Sequence, residues 1–172
     1  MGWLFSLFLL LQPVSGAQPI SIEIPSIAVR AEVVPLGLED DGAMAAPTDP
    51  DTVGWFELGS GIGAPGNVLL DGHVDWGGQL RVFGRLHQLR AGDAIRLSGP
   101  AGNVLHYSVV WTRFYPDAET APLDEIFGQV EPAEELTLIT CGGSFDASAR
   151  MYVGRWVVRA VREEPASAQT DR

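Results

Sequence analysis

The stretch LTLITCGG, residues 136–143, joins an alternating apolar segment to the only cysteine of the 172-residue chain. Side chains alternate between the two faces of a strand, so Cys141 shares one face with Ile139, while Leu138 and Thr140 share the other. The two glycines that follow leave room for a thiol to face a groove. A buried structural cysteine, a metal ligand and a catalytic nucleophile are the three roles that this stretch leaves open.

Other segments repeat the β character of this stretch. PISIEIP (residues 19–25) alternates apolar and polar residues, which is typical of a half-buried strand. AIRLSG (94–99) and NVLHYSVVWTRFY (103–115) flank a tight turn and predict a hairpin. APLDEIFGQV (121–130) predicts a short helix. Seven or eight short strands, separated by Gly and Pro turns, predict an all-β barrel or sandwich.

Composition excludes several classes of function. A single cysteine permits no intramolecular disulfide, and His73, His87 and His106 are too scattered for a structural zinc site, so we expect no metal and no cofactor. The net charge of −11 and the lack of any basic run argue against nucleic acid as a partner. All 11 basic residues are arginine, which excludes a catalytic lysine.

The two ends of the chain differ from its middle. Residues 1–17 contain an apolar run followed by small residues, which predicts a signal peptide or an N-terminal membrane anchor and hence an extracytoplasmic, secreted or membrane-anchored protein. A buried helix of the domain is the alternative. Residues 18–163 are predicted to form one domain, and 164–172 a disordered tail.

Three residue types in this chain suit acyl transfer. Cys141 ends one predicted strand, His73 follows another in DGHVD, and Arg155 lies on the strand after the cysteine. A thiolate attacks carbonyl carbon, and a nearby imidazolium favours that thiolate and can protonate a leaving amine. A guanidinium, which is always charged, can stabilise the oxyanion of the tetrahedral intermediate.

LTLITC, GHVD and the following arginine resemble the signature of sortases, the cysteine transpeptidases of bacterial cell surfaces. GNVLLDGHVD, VFGRLHQLRAGDAI and TLITCGGSFD are most similar to the class F branch. The separation from His73 to Cys141, 141 − 73 = 68 residues, is also typical of the family. The resemblance covers residues 20–161. It implies an eight-stranded β-barrel with Cys141 as the nucleophile, His73 as the general acid and base, and an arginine as the oxyanion stabiliser.

The resemblance also implies a reaction and its partners. Cys141 would cleave a C-terminal sorting motif similar to Leu-Pro-x-Thr-Gly in a surface protein, and an amine on a cell-wall precursor or a pilin-like protein would resolve the thioacyl enzyme. A monomer is expected. Two alternatives stay open. One is a sortase-fold peptidase that mainly hydrolyses, and the other is an inactive barrel that only binds a peptide or partner.

The arginine departs from the family pattern. In related class F sequences the arginine follows a tyrosine directly, whereas Tyr152 is followed here by Val153 and Arg155 comes two residues later. Two steps keep the same face but predict an offset of about 7 Å, unless a bulge shifts the strand register. Arg150 is the second candidate. Arg159 shares the face but lies about 13 Å further along.

The remaining candidates surround these residues. Thr140, next to the thiol, and Trp76, next to GHVD, are the candidates for substrate contact. Asp75 either orients His73 or caps the turn, and Asp71 is interpreted as structural. The acidic LEDDG, residues 38–42, lacks alternating oxygen ligands and is interpreted as a solvated turn rather than a calcium site.

Overall fold

The computed structural model describes residues 16–40, 42–128 and 133–163. The predicted tail lies outside these residues, and so does the predicted leader except for its last two positions. In the part of the chain that is described, no helix is long and apolar enough to cross a membrane.

Eight strands close into a barrel, which confirms the predicted all-β class and the eight-stranded architecture. Their order around the barrel is β1-β2-β3-β4-β9-β10-β8-β7. The β2/β3 and β4/β9 pairs are parallel and the others are antiparallel. The barrel strands are β1 (Ser21–Ile24), β2 (Val29–Leu36), β3 (Val53–Phe56), β4 (Gly66–Asp71), β7 (Ala94–Ser98), β8 (Val104–Tyr115), β9 (Glu134–Asp146) and β10 (Met151–Arg162).

Short elements complete the described fold. β5 (Asp75–Trp76) and β6 (Gln79–Leu80) form a separate small hairpin directly after the GHV turn. Two 3₁₀ turns cover Pro25–Ile27 and Leu86–Gln88. One short helix, α1 (Leu123–Phe127), falls inside the segment predicted to be helical. β7 and β8 pair antiparallel, which confirms the predicted hairpin.

The alternation of β9 decides which side chains enter the barrel. Leu136 and Leu138 are fully buried in the core, which fills the barrel interior. Cys141 has the opposite parity, so its side chain lies on the outer face of the wall. The same reasoning puts Arg155 on the outer face of β10, because Val158 and Ala160 belong to the core. The thiol and the guanidinium therefore leave the barrel on the same side.

Candidate active site

Cys141 lies near the end of β9 in a half-buried position. It lines a cavity of about 240 Å³ on the outer face of the barrel. The other lining residues are His73, Val74, Asp75, Phe145, Arg150, Met151 and Tyr152. The structure thus brings together the thiol and the imidazole that the sequence separates by 68 positions.

The environment of Cys141 disfavours the thiolate in the resting site. Burial is the largest cause that raises the pKa of the Cys141 thiol above its ordinary value. The charge of Arg155 opposes this rise, while the carboxylates of Asp71 and Asp75 add to it. Reaction as a thiolate therefore requires a cation close to the sulfur.

His73 is held from several sides. Its Nε2 lies 2.7 Å from the carbonyl oxygen of Pro47. A carbonyl only accepts hydrogen bonds, so we assign the ring proton to Nε2, which leaves Nδ1 as the basic nitrogen of neutral His73. The Phe83 backbone N–H donates to the His73 carbonyl at 3.0 Å. The ring of Trp76 meets the imidazole edge-on, with 5.1 Å between ring centroids.

Thr140 supports the turn that carries His73. Its side chain is 1% exposed, and its hydroxyl donates a 2.6 Å hydrogen bond to the carbonyl oxygen of Gly72. The parity of β9 turns Thr140 away from the face of Cys141. The one hydroxyl of Thr140 is thus engaged inside the wall, and the contact of Thr140 with substrate stays a prediction. Trp76, by contrast, is half exposed at the rim beside His73.

Arg155 is directly opposite Cys141 across the β9/β10 ladder. The pairing shifts between Tyr152, opposite Phe145, and Gly154, opposite Gly142. Two residues of β9, 143 and 144, thus face one residue of β10, which is a β-bulge. The bulge shifts the register by one residue, which puts Arg155 opposite Cys141 rather than opposite Gly142. Direct partners of an antiparallel pair put their side chains on the same face.

The bulge has a visible local cause. Gly143 has a φ of +79°, a conformation that side chains other than glycine rarely adopt. A Cβ at this position would lie 2.8 Å from the Phe114 ring. The second glycine of the CGG sequence is therefore required by the bulge that aligns Arg155 with the thiol.

The two candidate arginines have different surroundings. The Arg155 guanidinium donates to the carbonyl oxygens of Tyr152 and Gly154, each at 2.9 Å, which holds it close to its own strand. Its charge acts on both Cys141 and Asp71. Arg150 is exposed, lies in the connection between β9 and β10, and lines the cavity. It has a φ of +56°, and Arg155 alone of the two is aligned with the thiol by strand pairing.

Asp75 has a partner other than the imidazole. Burial and a hydrogen bond to the Asp75 carboxylate raise the pKa of the Tyr152 hydroxyl. The hydrogen bond on His73 Nε2 goes to Pro47 instead. Asp75 and Tyr152 both line the cavity.

Asp71 is the group at this site that the sequence interpretation missed. Burial raises its pKa to about 6, and the nearby charges of His73 and Arg155 lower it without cancelling that rise. Its position two residues before His73, at the end of the strand that adjoins β9, was the available signal. Among the described residues, no group of three or more His, Cys, Asp or Glu side chains could hold a metal ion.

A thiol, an imidazole and a guanidinium therefore meet on the outer wall of a closed eight-stranded barrel, which is the arrangement of a cysteine acyl-transfer enzyme. The sortase domain model matches residues 22–163. The chain belongs to the sortase family and is a sortase-type cysteine transpeptidase. No curated protein matches it.

Solved structures agree on the fold. Sortase A from Corynebacterium diphtheriae, in a lid mutant, is 20% identical with a TM-score of 0.65, over 88% of this chain and 74% of that one. Sortase C-1 from Actinomyces oris is 24% identical with a TM-score of 0.65, over 86% and 76%. The Clostridium perfringens sortase D5 transpeptidase is 19% identical with a TM-score of 0.62, over 86% and 79%. The matched structures include sortases of classes A, C and D.

Proposed function

We propose that Cys141, His73 and Arg155 carry a two-step transpeptidation in this chain. The observation that carries this assignment is the direct pairing of Arg155 with Cys141 across β9/β10, with His73 in the same cavity. Arg155 favours the thiolate in the resting site and donates hydrogen bonds to the oxyanion that forms on the attacked carbonyl. To bind the oxyanion, the guanidinium releases its hydrogen bonds to the Tyr152 and Gly154 carbonyls and donates to the substrate oxygen instead.

His73 moves the protons through Nδ1, since Nε2 is bound to Pro47. The Cys141 thiolate attacks the peptide carbonyl while His73 holds the proton. Collapse of the tetrahedral intermediate breaks the C–N bond, leaves a thioester on Cys141, and transfers the Nδ1 proton to the departing amine. An incoming amine then attacks the thioester. His73 takes its proton, and the C–S bond breaks to release the new amide.

The substrate that we propose is a C-terminal sorting motif similar to Leu-Pro-x-Thr-Gly in a surface protein. The rim of the site carries exposed apolar side chains, among them Trp76, Phe145 and Met151, which suit the apolar residues of such a peptide. We propose a cell-wall precursor or a pilin-like protein as the amine acceptor. An extracytoplasmic location follows from both partners, and the motifs GHVD and TLITCGGSFD favour assignment to class F.

The test is a peptide cleavage assay with and without an amine. The full chain is incubated with a panel of fluorogenic sorting peptides, alone and with an oligoglycine acceptor, beside Cys141→Ala. We expect cleavage by the wild type, incorporation of the acceptor, and loss of activity by more than about 10³-fold in the variant. Cleavage without incorporation would make the enzyme a hydrolase. Cleavage of no peptide by the wild type, or equal cleavage by Cys141→Ala, would contradict the proposal.

A further inference from the structure

Asp71 lies beside the strand that carries the thiol. It ends β4 and pairs with Ile139 of the parallel neighbour β9. Cys141 is two residues further on the same face, so the Cα atoms of Asp71 and Cys141 are about 8 Å apart along the diagonal. His73 follows Asp71 by two residues, and the turn between them is held by the Thr140 hydroxyl on Gly72. The carboxylate is thus placed by the same two strands that place the thiol and the imidazole.

The charged groups that face Asp71 come from three elements. His73 faces it from the turn after β4, Cys141 from β9 and Arg155 from β10. On the remaining side, its partner in β3 is Gly54, which has no side chain to offer. The four groups alternate in sign when the site is active, with Asp71 negative, His73 positive, Cys141 negative and Arg155 positive.

The carboxylate is costly to keep at this position. Burial makes its ionised form unfavourable. The charges of His73 and Arg155, together with a hydrogen bond from the backbone N–H of Gly72, offset this only in part. Stability alone would favour a neutral side chain of similar shape. A half-buried carboxyl that borders all three proposed catalytic groups is therefore better explained by what it does to their charges.

We propose that Asp71 is a positioning residue of the transpeptidation, whose carboxylate stabilises the imidazolium of His73 while Arg155 stabilises the thiolate of Cys141. This rests on the proposed function of Cys141, His73 and Arg155. The carboxylate interacts more strongly with His73 than with Arg155. On Cys141, the effect of Arg155 exceeds the opposing effect of Asp71. Together, Asp71 and Arg155 favour the imidazolium of His73 and the thiolate of Cys141, the charged pair that reacts.

The proposal predicts a particular change in the pH dependence. Replacing Asp71 by asparagine keeps the shape and removes the charge, which disfavours the imidazolium of His73 and favours the thiolate of Cys141. Both limbs of the pH profile of kcat/KM therefore move to lower pH. The imidazolium that protonates the leaving amine loses a neighbouring negative charge, so kcat/KM at its optimum decreases about threefold or more. A merely structural role would lower the rate without moving the limbs.

The experiment compares wild type, Asp71→Asn and Asp71→Glu, with Asp93→Asn as the control. Asp93 lies just before β7 and does not line the Cys141 cavity, and its replacement removes the same charge. Activity is measured against pH, and the His73 ring is titrated by NMR after assignment with His73→Gln. We expect the NMR transition of the His73 ring to move to lower pH in Asp71→Asn only, with the wild-type position partly restored in Asp71→Glu.

A second measurement keeps the proposal testable if Asp71→Asn fails to fold. In the wild type, the carboxyl carbon of Asp71 should titrate near pH 6 and show the titration of His73 as a second step. A wild type that cleaves peptides while Asp71→Asn leaves the pH limbs and the NMR transition of the His73 ring unchanged would overturn the role of Asp71 alone. An Asp71 carboxyl carbon whose NMR titration shows no second step from His73 would also overturn the role of Asp71. A wild type that cleaves nothing would overturn the function of the three catalytic residues instead.

Discussion

The outer face of β10 carries two arginines four residues apart, and the two have different roles. Arg159 is 5% exposed and forms an ion pair with Glu135, which is 6% exposed. Arg155, four residues earlier on the same face, lies opposite Cys141 and is half-buried. Arg155 and Arg159 are of the same residue type and lie on the same face of β10, so the difference between their roles comes from what surrounds each guanidinium.

The Arg159 end is closed by α1. Its guanidinium donates to Glu135 and also to the backbone carbonyls of Glu125, Ile126 and Gly128. The first two carbonyls belong to α1 and the third follows it, so this arginine fastens the helix to the barrel wall. A buried charge is tolerated here because a carboxylate and several carbonyls replace its water.

The Arg155 end is left open. Its guanidinium is held by two carbonyls of its own strand, and it interacts with the Asp71 carboxyl only through the electric field of the site. The raised pKa values of Cys141 and Asp71 show that burial there is incompletely compensated. Perturbed groups of this kind gather at functional sites. The same strand pair thus supplies stability where its arginine is paired with a carboxylate, and reactivity where its arginine lies beside the thiol.

The largest effect is expected at the closed end. Glu135→Ala leaves the buried Arg159 without its carboxylate, so the free energy of unfolding should fall by about 3–5 kcal/mol in urea titrations. Glu119→Ala removes an exposed carboxylate and serves as the control. The double variant Glu135→Leu/Arg159→Met should recover much of the loss. A loss below about 1 kcal/mol in Glu135→Ala would show that the pair does not stabilise the fold.

The next effect separates the two candidate arginines at the open end. Arg155→Ala should lower kcat by about 10²–10³-fold, because an aligned donor to the oxyanion is lost. Arg150→Ala, the matched control from the connection between β9 and β10, should lower it less than about fivefold. Stability should change little in either variant, in contrast to Glu135→Ala. A larger loss in Arg150→Ala than in Arg155→Ala would exchange the two assignments.

The sequence was sufficient for the features that follow from alternation. The parity of LTLITC predicted which side chains of β9 share a face, and the paired strand patterns predicted the β7/β8 hairpin. Counting residues along β10 could not reveal whether Arg155 reaches Cys141. That alignment depends on one additional residue in β9, and the bulge involves a φ value that only the folded hairpin displays.

Long-range neighbours account for what the sequence interpretation missed. The position of Asp71 beside Cys141 depends on the parallel pairing of β4 with β9, and these strands are more than 60 residues apart in sequence. Thr140 was assigned to substrate contact because it is next to the thiol in sequence. Strand parity separates the two, and the hydroxyl reaches Gly72 instead. Adjacency in sequence does not by itself put two side chains on the same face of a strand.

A smaller effect concerns the free energy of unfolding, which the buried carboxylate of Asp71 lowers. A carboxyl whose pKa is raised in the folded state binds protons more readily there than in the unfolded chain. Stability therefore decreases as pH rises through the interval from about 4 to about 6. At pH 7.5, Asp71→Asn should be more stable than the wild type by about 1–3 kcal/mol, and this gain should vanish near pH 4. Urea titrations at both pH values measure it, and equal stability at pH 7.5 would contradict the raised pKa.

The smallest effect concerns the hydrogen bond from the Thr140 hydroxyl to the Gly72 carbonyl, which holds the turn before His73. Thr140→Val keeps the side-chain shape but leaves the Gly72 carbonyl without this donor. The free energy of unfolding should fall by about 1 kcal/mol, and kcat should fall several-fold because the turn before His73 is no longer held. Thr140→Ser retains the hydroxyl and should keep most of the activity. If Thr140→Val loses activity by a rise in KM with kcat unchanged, Thr140 acts on substrate binding rather than on the position of His73.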